Sequence, residues 1–117
     1  MKSAVSAFAT ILSMALSTPV AAETISPAQA ATRVGKMVTV EGAVDQVYVS
    51  RKRTIFLNFG GAFPNQLFFA TIFADSSSLF GNVLTLEGRS VAITGIVELY
   101  KGKPEIILDS PQQLVAE

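Results

Sequence analysis

Residues 51–73 read RKRTIFLNFGGAFPNQLFFATIF, and this stretch decides the fold. A basic tip, Arg51 to Arg53, is followed by an apolar run, a loop rich in Gly, Pro and Asn, and a second apolar run. Short runs of β-branched and aromatic residues on either side of such a loop predict a β-hairpin. Because Asn58 and Thr71 would be costly to bury, we assign the opposite set of alternating side chains to the core. The predicted core set is Ile55, Leu57, Phe59, Phe68, Ala70 and Ile72, and the predicted outward set is Phe56, Asn58, Phe69 and Thr71.

Two longer segments lie on either side of this hairpin in sequence, and both have the composition of bent strands. Met37 to Ser50 changes the phase of its alternation near Asp45-Gln46, which predicts a bulge. Ser90 to Tyr100 is the second long strand, and each of the two has a glycine near its middle, Gly42 and Gly95. A mid-strand glycine permits the bend that a strand shared between two halves of a barrel requires.

Short helices and a closing strand complete the predicted fold. Ser26 followed by Pro27 predicts the start of a short N-terminal helix. Asp75 to Asn82 predicts a second helix, which we expect to close one end of a barrel with Leu79 and Phe80. A turn at 101–104 leads to a last strand at 105–108, and we expect the tail after it to be only partly ordered. The predicted fold is mainly β: a five-stranded Greek-key OB-fold barrel with a short N-terminal helix and a helix between strands three and four.

The first 22 residues have the pattern of a secretory signal peptide. Lys2 precedes an uncharged, mostly apolar run from Ala4 to Leu16, and small residues follow up to Ala22. The alternative is a membrane anchor, but the apolar run is shorter than the roughly 20 residues of a spanning helix. We therefore expect cleavage before Glu23, a single domain over residues 23–117 without a membrane span, and a periplasmic or secreted location.

The composition of the 117-residue chain favours a folded domain and argues against catalysis. Hydrophobic residues make up 50% and charged residues 15%, which is unlike a disordered segment. The sequence contains no His and no Cys, so it lacks the commonest general base, metal ligand and thiol nucleophile. Carboxylates are scattered, and only a site assembled by the fold could gather them. We expect a non-enzymatic protein with no catalytic residues, no metal and no cofactor.

Three segments carry a resemblance: Gly35-Lys36 with Val38 to Gly42, Phe56 to Gly60 with Pro64, and Tyr100 to Ile106. Through them the chain resembles exported bacterial OB-fold domains of the nucleic-acid-binding-like type, over essentially all of residues 23–111. The middle segment is also similar to strands of staphylococcal-nuclease-like proteins. The carboxylates and arginines of that nuclease family have no match here, so its activity does not carry over. The resemblance implies a fold and a binding surface.

The OB-fold also indicates where a ligand would bind. In this fold the loop between strands one and two and the loop between strands four and five border the binding face of strands two and three. These two loops hold five of the eight basic residues that follow residue 22, and we expect them to flank the outward side chains of the hairpin. The predicted ligand-binding residues are Arg51, Lys52, Arg53, Phe56, Asn58, Phe69, Thr71, Lys101 and Lys103.

Such a surface allows more than one interpretation. A basic groove lined with outward aromatic side chains suits single-stranded nucleic acid or a similar anionic polymer, because phosphates contact Lys and Arg while bases stack on the rings. The same face could instead serve an envelope interaction protein that binds a partner protein, a glycan or a small ligand. The structural alternative is that the basic loops are solvated hairpin tips and that Phe56 and Phe69 only cover each other. We expect a structural role for Tyr100.

Overall fold

The computed structural model describes residues 22–117, so the predicted signal peptide, residues 1–22, lies outside the described residues except for Ala22. In the described part the chain is mainly β. Its strands are β1 (Glu23–Ile25), β2 (Met37–Ala43), β3 (Gln46–Val49), β4 (Ile55–Phe59), β5 (Phe68–Ile72), β6 (Ser90–Ile96), β7 (Glu98–Tyr100), β8 (Lys103–Ile107) and β9 (Leu114–Ala116). Short 3₁₀ helices occupy Pro27–Thr32, Ala74–Leu79, Val83–Leu86 and Pro111–Gln113.

The strands form two sheets that share two bent chain segments. One sheet has the order β1-β2-β6-β9 and the other has the order β3-β4-β5-β8-β7. β2 continues into β3 through Val44 and Asp45, and β6 continues into β7 through Val97. At the bend between β2 and β3, the Val44 N–H donates to Arg89 O (2.9 Å), while the Asp45 N–H donates to Asn58 O (2.8 Å). The phase change that the sequence shows in this region is therefore a change of partner strand.

One hydrophobic core lies between the sheets. All six hairpin side chains that we assigned to the core are buried, with exposures of 7% or less, so this assignment is confirmed. Val38 and Val40 of β2 and Val91 and Ile93 of β6 belong to the same cluster, and Val40 is paired with Ile93. Full burial of an aliphatic side chain contributes roughly 1.5–3 kcal/mol, so these alternating strands make a large contribution to the hydrophobic stabilisation.

The outward face of the hairpin is more buried than we predicted. Asn58, Phe69 and Thr71 are 2%, 4% and 1% exposed, and Phe56 is half-buried. The expectation that Asn58 and Thr71 would stay exposed was wrong, because a buried polar group is tolerated where it has a hydrogen-bond partner. Both residues have such partners on neighbouring strands. Tyr100, from the far edge of the sheet, packs against Phe69 and helps to cover it.

The helix predicted between the third and fourth strands is present as two 3₁₀ helices. Phe80 is buried as predicted, but Leu79 is 52% exposed, so its predicted place in the core was wrong. A 3₁₀ helix has three residues per turn, which places Val83 and Leu86 on one side of the second helix, and Phe80 follows directly after the first. All three are in the core cluster. The N-terminal helix is also 3₁₀, and the Ser26 N–H donates to Gln29 Oε1 (2.9 Å) at its start.

Two short strands at the ends of the described chain were not predicted. β1 pairs in parallel with β2, and an ion pair between Arg33 Nε and Glu23 Oε1 (2.8 Å) joins β1 to the segment that follows it. β9 pairs antiparallel with β6, and the Glu117 N–H donates to Ser90 O (2.9 Å). The expectation of a partly ordered tail was therefore wrong. Its pairing depends on a strand more than 20 residues away, which local sequence does not reveal.

The two mid-strand glycines allow close approach as well as bending. A Cβ at Gly42 would lie 2.8 Å from Pro27 Cγ, where the N-terminal 3₁₀ helix crosses the strand. A Cβ at Gly95 would lie 2.5 Å from Ile106 Cγ2 of β8, which belongs to the other sheet. Larger residues at either position would force neighbouring elements apart.

This arrangement is consistent with an OB-like fold: two mixed sheets, joined by two bent segments, with few helices. We predicted five strands, and the larger number observed has two causes. Each long strand is divided at its bend, and one short strand is added at each end of the described chain. None of the helices in residues 22–117 has the length and apolar character needed to span a membrane.

Candidate binding cleft

An open cleft of about 640 Å³ lies on the outward face of the sheet that contains the hairpin. This volume is within the range of roughly 300–1,000 Å³ that is usual for small-molecule sites. Strands β3, β4 and β5 form its base, and the β4–β5 loop and the β7–β8 turn form its sides. The cleft is lined by Gln46, Tyr48, Phe56, Asn58, Phe63, Gln66, Phe69, Tyr100, Lys101 and Lys103.

Four aromatic rings form a continuous row along this cleft. Tyr48 is stacked on Phe56, with ring centroids 6.2 Å apart and an interplanar angle of 22°. Phe56 lies 6.1 Å from Phe69, which in turn lies 6.4 Å from Tyr100 in an edge-on arrangement. Because Tyr48 and Tyr100 are 51% and 53% exposed, the two ends of the row are open to solvent. We call this set of four rings the aromatic row.

Three amide side chains line the same cleft and form what we call the amide cluster: Gln46, Asn58 and Gln66. Gln46 and Asn58 are directly paired across β3 and β4, and Asn58 Nδ2 donates to Gln46 Oε1 (2.8 Å). The backbone N–H of Phe63 donates to the same oxygen (2.9 Å). Gln46 Oε1 therefore holds the β4–β5 loop against β3 and uses both of its lone pairs.

Gln66 differs from the other two amides. Gln66 is only 4% exposed, and its backbone oxygen accepts a hydrogen bond from Lys103 Nζ (2.9 Å). Its side-chain oxygen, Oε1, is buried and has no hydrogen-bond partner among the described residues. An unpaired buried polar group costs roughly 1–3 kcal/mol, so this arrangement is unfavourable in the protein alone.

The β7–β8 turn brings two lysines to the cleft. Lys101 and Gly102 have φ values of +51° and +82° between the paired residues Tyr100 and Lys103. Two successive positive φ values in a two-residue loop are typical of a type I′ turn, and lysine is uncommon in that conformation. Lys101 Nζ lies 5.4 Å from the Tyr100 ring centroid, which is a cation–π geometry. A tight turn is therefore present as predicted, but it contains only Lys101 and Gly102, because Lys103 and Pro104 belong to β8.

Lys101 and Lys103 have no acidic partner among the described residues. Glu98 and Glu105 are paired across β7 and β8, but neither forms an ion pair with either lysine. Lys103 instead donates to the backbone of Gln66. The positive charges at this side of the cleft are therefore not neutralised by a described carboxylate.

Glu105 and Thr71 lie beside the cleft but do not line it. The Thr71 hydroxyl donates to Glu105 Oε2 at 2.5 Å, and both residues are buried. Burial raises the pKa of the Glu105 carboxyl; the hydrogen bond from Thr71 opposes this rise, and the negative charge of Glu98 adds to it. The placement of Thr71 on an exposed binding surface was wrong, because its hydroxyl is used inside the sheet.

The structure brings together five of the nine predicted binding residues. Phe56, Asn58, Phe69, Lys101 and Lys103 line the cleft, and whether they bind a ligand remains a prediction.

Arg51, Lys52 and Arg53 do not line the cleft. They are exposed in the β3–β4 turn, where the Arg53 N–H donates to Ser50 O (2.9 Å). Strand register places this turn beyond Ile72 of β5, whereas Lys103 is level with Leu67. Five residues of strand span about 17 Å, so the two basic turns lie at opposite ends of the sheet.

Five lining residues were missed or given another role: Gln46, Tyr48, Phe63, Gln66 and Tyr100. Tyr48 could have been found from alternation, because it faces Phe56 across the β3–β4 pair. Tyr100 was assigned a structural role; it does pack on Phe69, but half of its surface is exposed in the cleft. Gln46 shares the phase of Tyr48 in β3, so alternation indicates it as well. Phe63 and Gln66 have no local signal, because the conformation of the β4–β5 loop determines their position.

Possible metal ligands are dispersed in the described part of the chain. No group of three or more Asp, Glu, His or Cys side chains lies close enough there to hold a metal ion. No described carboxylate lines the cleft, and the buried Glu105 carboxyl is engaged with Thr71.

Comparison with known proteins identifies the fold. No protein-family model matches the chain, and no curated protein matches it. Among solved structures, it is similar to an OBody bound to hen egg-white lysozyme, with 20% identity and a TM-score of 0.61, over 86% of this chain and 98% of that one. It is also similar to a protein described as an aspartyl-tRNA synthetase from Leishmania major Friedlin, with 12% identity and a TM-score of 0.53, over 90% of this chain and 22% of that one. At these identities the likeness concerns the fold alone, and that fold is OB-like.

Proposed function

We propose that this protein is a non-enzymatic binding module that holds single-stranded nucleic acid, or a similar anionic polymer, on the outward face of a five-stranded Greek-key OB barrel. The observation that carries the proposal is the aromatic row in an open cleft with Lys101 and Lys103 at its side. Bases stack on such rings with roughly 1–3 kcal/mol per base, while lysines contact the phosphates. The synthetase neighbour belongs to a class of proteins that act on tRNA, which agrees with this choice.

The position of the second basic turn extends the proposed surface. Arg51, Lys52 and Arg53 lie at the other end of the sheet from Lys101 and Lys103, with the aromatic row between them. A strand that follows the row would have positive charge near both of its ends. We therefore propose that all five basic residues contribute to affinity, and that an extended ligand uses both turns while a short one uses the cleft alone.

Salt dependence tests this proposal. In anisotropy titrations of a labelled single strand, we expect binding that weakens steeply between about 50 and 200 mM salt because counterions are released. The double variant Lys101→Ala/Lys103→Ala should lower the salt slope by about 0.7 for each phosphate that the variant no longer neutralises. Arg51→Ala/Lys52→Ala/Arg53→Ala should lower it for long strands more than for short ones.

Lys36→Ala is the matched control, because Lys36 is an exposed basic residue outside the cleft. It should leave both affinity and salt slope unchanged. If no strand binds at low salt, or if removal of all five basic residues leaves binding intact, the proposed function is wrong.

A second candidate is an interaction protein that uses the same face for a partner protein, a glycan or a small ligand. Tyr48, Phe63 and Tyr100 are 51%, 70% and 53% exposed in one cleft, and exposed aromatic residues are enriched in protein interfaces. The OBody neighbour is bound to another protein, lysozyme. For this candidate we expect Phe63→Ala/Tyr100→Ala to abolish capture of a partner from an envelope extract, with little effect of salt. Recovery of the crosslinked wild-type protein alone would count against it.

We also propose that the protein acts outside the cytoplasm after removal of residues 1–22. The support is the charge and apolar pattern of that segment. Mass spectrometry of the protein from a periplasmic or culture fraction should find an N-terminus at Glu23. A chain that retains Met1 and stays in the cytoplasmic fraction would contradict this.

A further inference from the structure

Gln66 is the feature of the cleft that phosphate binding and ring stacking do not explain. Gln66 is one of the lining residues of the cleft, it is almost fully buried, and its Oε1 accepts no hydrogen bond from the described residues. Native proteins rarely leave a buried amide oxygen unpaired, because the group loses its water without a replacement. A ligand in the cleft could supply the missing donor.

The hydrogen bonds around Gln46 fix the polarity of the other amides. Gln46 Oε1 already accepts from Asn58 Nδ2 and from the Phe63 backbone, so only its Nε2 group remains to bond a ligand. Asn58 uses Nδ2 toward Gln46, which leaves its Oδ1 as an acceptor. The amide cluster therefore offers two acceptor oxygens, Gln66 Oε1 and Asn58 Oδ1, and two amide donors, Gln46 Nε2 and Gln66 Nε2, beside the aromatic row.

This set of groups is complementary to the edge of a nucleobase. A base has a flat face for stacking and an edge on which N–H donors alternate with nitrogen or oxygen acceptors. Phosphate and deoxyribose offer no aromatic face for stacking, and an ionised phosphodiester offers no donor for a buried amide oxygen. Amide side chains are a common means of reading base edges in proteins.

We infer that the amide cluster reads one base of the bound strand. The ring stacks on the aromatic row, an amino N–H of its edge donates to Gln66 Oε1, and Gln46 Nε2 donates to a ring nitrogen. This inference rests on the proposed function, and it adds that the cleft recognises a base rather than only a charged backbone. Gln66 is thus a specificity-determining residue.

Three strands of equal length and charge test the inference by anisotropy: deoxyadenosine units, purine units without the exocyclic amino group, and tetrahydrofuran abasic units. The adenine strand should bind about tenfold more tightly than the purine strand, because the latter leaves Gln66 Oε1 unpaired. The abasic strand should bind more weakly again, by about tenfold, because it cannot stack.

Two variants give the matched comparison. Gln66→Leu and Gln66→Met should remove the difference in affinity between the adenine strand and the purine strand. Both variants should melt at the same temperature as the wild type or higher, because an apolar side chain removes an unpaired buried group. Stability and recognition should thus change in opposite directions, which loss of folding would not produce.

The outcomes separate the two claims. The inference is supported if the purine strand binds more weakly than the adenine strand and if this difference disappears in the Gln66 variants. Equal binding of the adenine and purine strands, or adenine binding that is unchanged in both variants, overturns the inference and keeps the proposed function as long as the abasic strand binds more weakly. Equal binding of all three strands overturns the inference and also the stacking on which the proposed function rests. If none of the strands binds, the proposed function fails and the inference fails with it.

Discussion

The buried carboxyl of Glu105 makes the stability of the fold depend on pH. Its side chain is 7% exposed, and the Thr71 hydroxyl is its hydrogen-bond donor. Burial raises the pKa of this carboxyl above its ordinary value of 4.5. The folded protein therefore holds the proton more tightly than the unfolded chain does. Stability is highest below the ordinary pKa and falls as the pH rises through the raised pKa, because the carboxylate must then be buried with its charge.

Glu105→Gln should therefore stabilise the protein at pH 8, with a gain in melting temperature that shrinks toward pH 4. The amide keeps the shape of the side chain and can still accept the Thr71 hydrogen bond, but it carries no charge. Melting curves across this pH range measure the effect. Asp109→Asn, at an exposed carboxylate, is the control and should give a much smaller change. A gain that is equal at both ends of the range would contradict the assignment.

At the scale of elements, alternation predicted the inner face of the hairpin correctly because each inward side chain has the same requirement, burial in a shared core. The outer face could not be predicted in the same way. Asn58 and Thr71 are buried there because Gln46 and Glu105 supply hydrogen bonds from other strands. The alternation of residues along one strand does not reveal such partners.

The elements also differ in how much sequence signal they carry. β1 and β9 are three residues long, and both exist because a longer strand beside them offers an edge. Their residues have no pattern long enough to predict a strand. The candidate site was predictable only where its residues lie in elements with a sequence pattern. Phe56, Phe69 and the two lysines lie in predicted strands and a predicted turn. Phe63 and Gln66 lie in a loop whose conformation has no such pattern.

Gly95→Ala tests the close contact between the two sheets. The added Cβ would lie 2.5 Å from Ile106 Cγ2, so we expect a loss of about 1–3 kcal/mol in the free energy of unfolding. Denaturant unfolding measures the loss.

The same substitution is also made in the variant Ile106→Ala. Ile106→Ala destabilises the core by itself, but it makes room for the methyl group that Gly95→Ala adds. In that background Gly95→Ala should cost clearly less, as a double-mutant cycle would show. An equal cost in both backgrounds would mean that the glycine is needed for backbone conformation and not for this contact.

For the whole molecule, the central claim is that a strand lies on the aromatic row. The chain contains two tyrosines and no tryptophan, and both tyrosines line the cleft. Intrinsic tyrosine fluorescence is therefore a native probe of this surface, because stacking of a base on Tyr48 or Tyr100 should quench it.

The most direct measurement is a titration of the protein with a single strand at low salt, followed by tyrosine fluorescence and by strand anisotropy, with correction for absorption by the bases. We predict quenching with the same midpoint as the anisotropy change, partly lost in Tyr48→Phe and in Tyr100→Phe as each removes one probe. Binding seen by anisotropy without any change in tyrosine fluorescence would contradict the account, because the strand would then lie elsewhere on the protein.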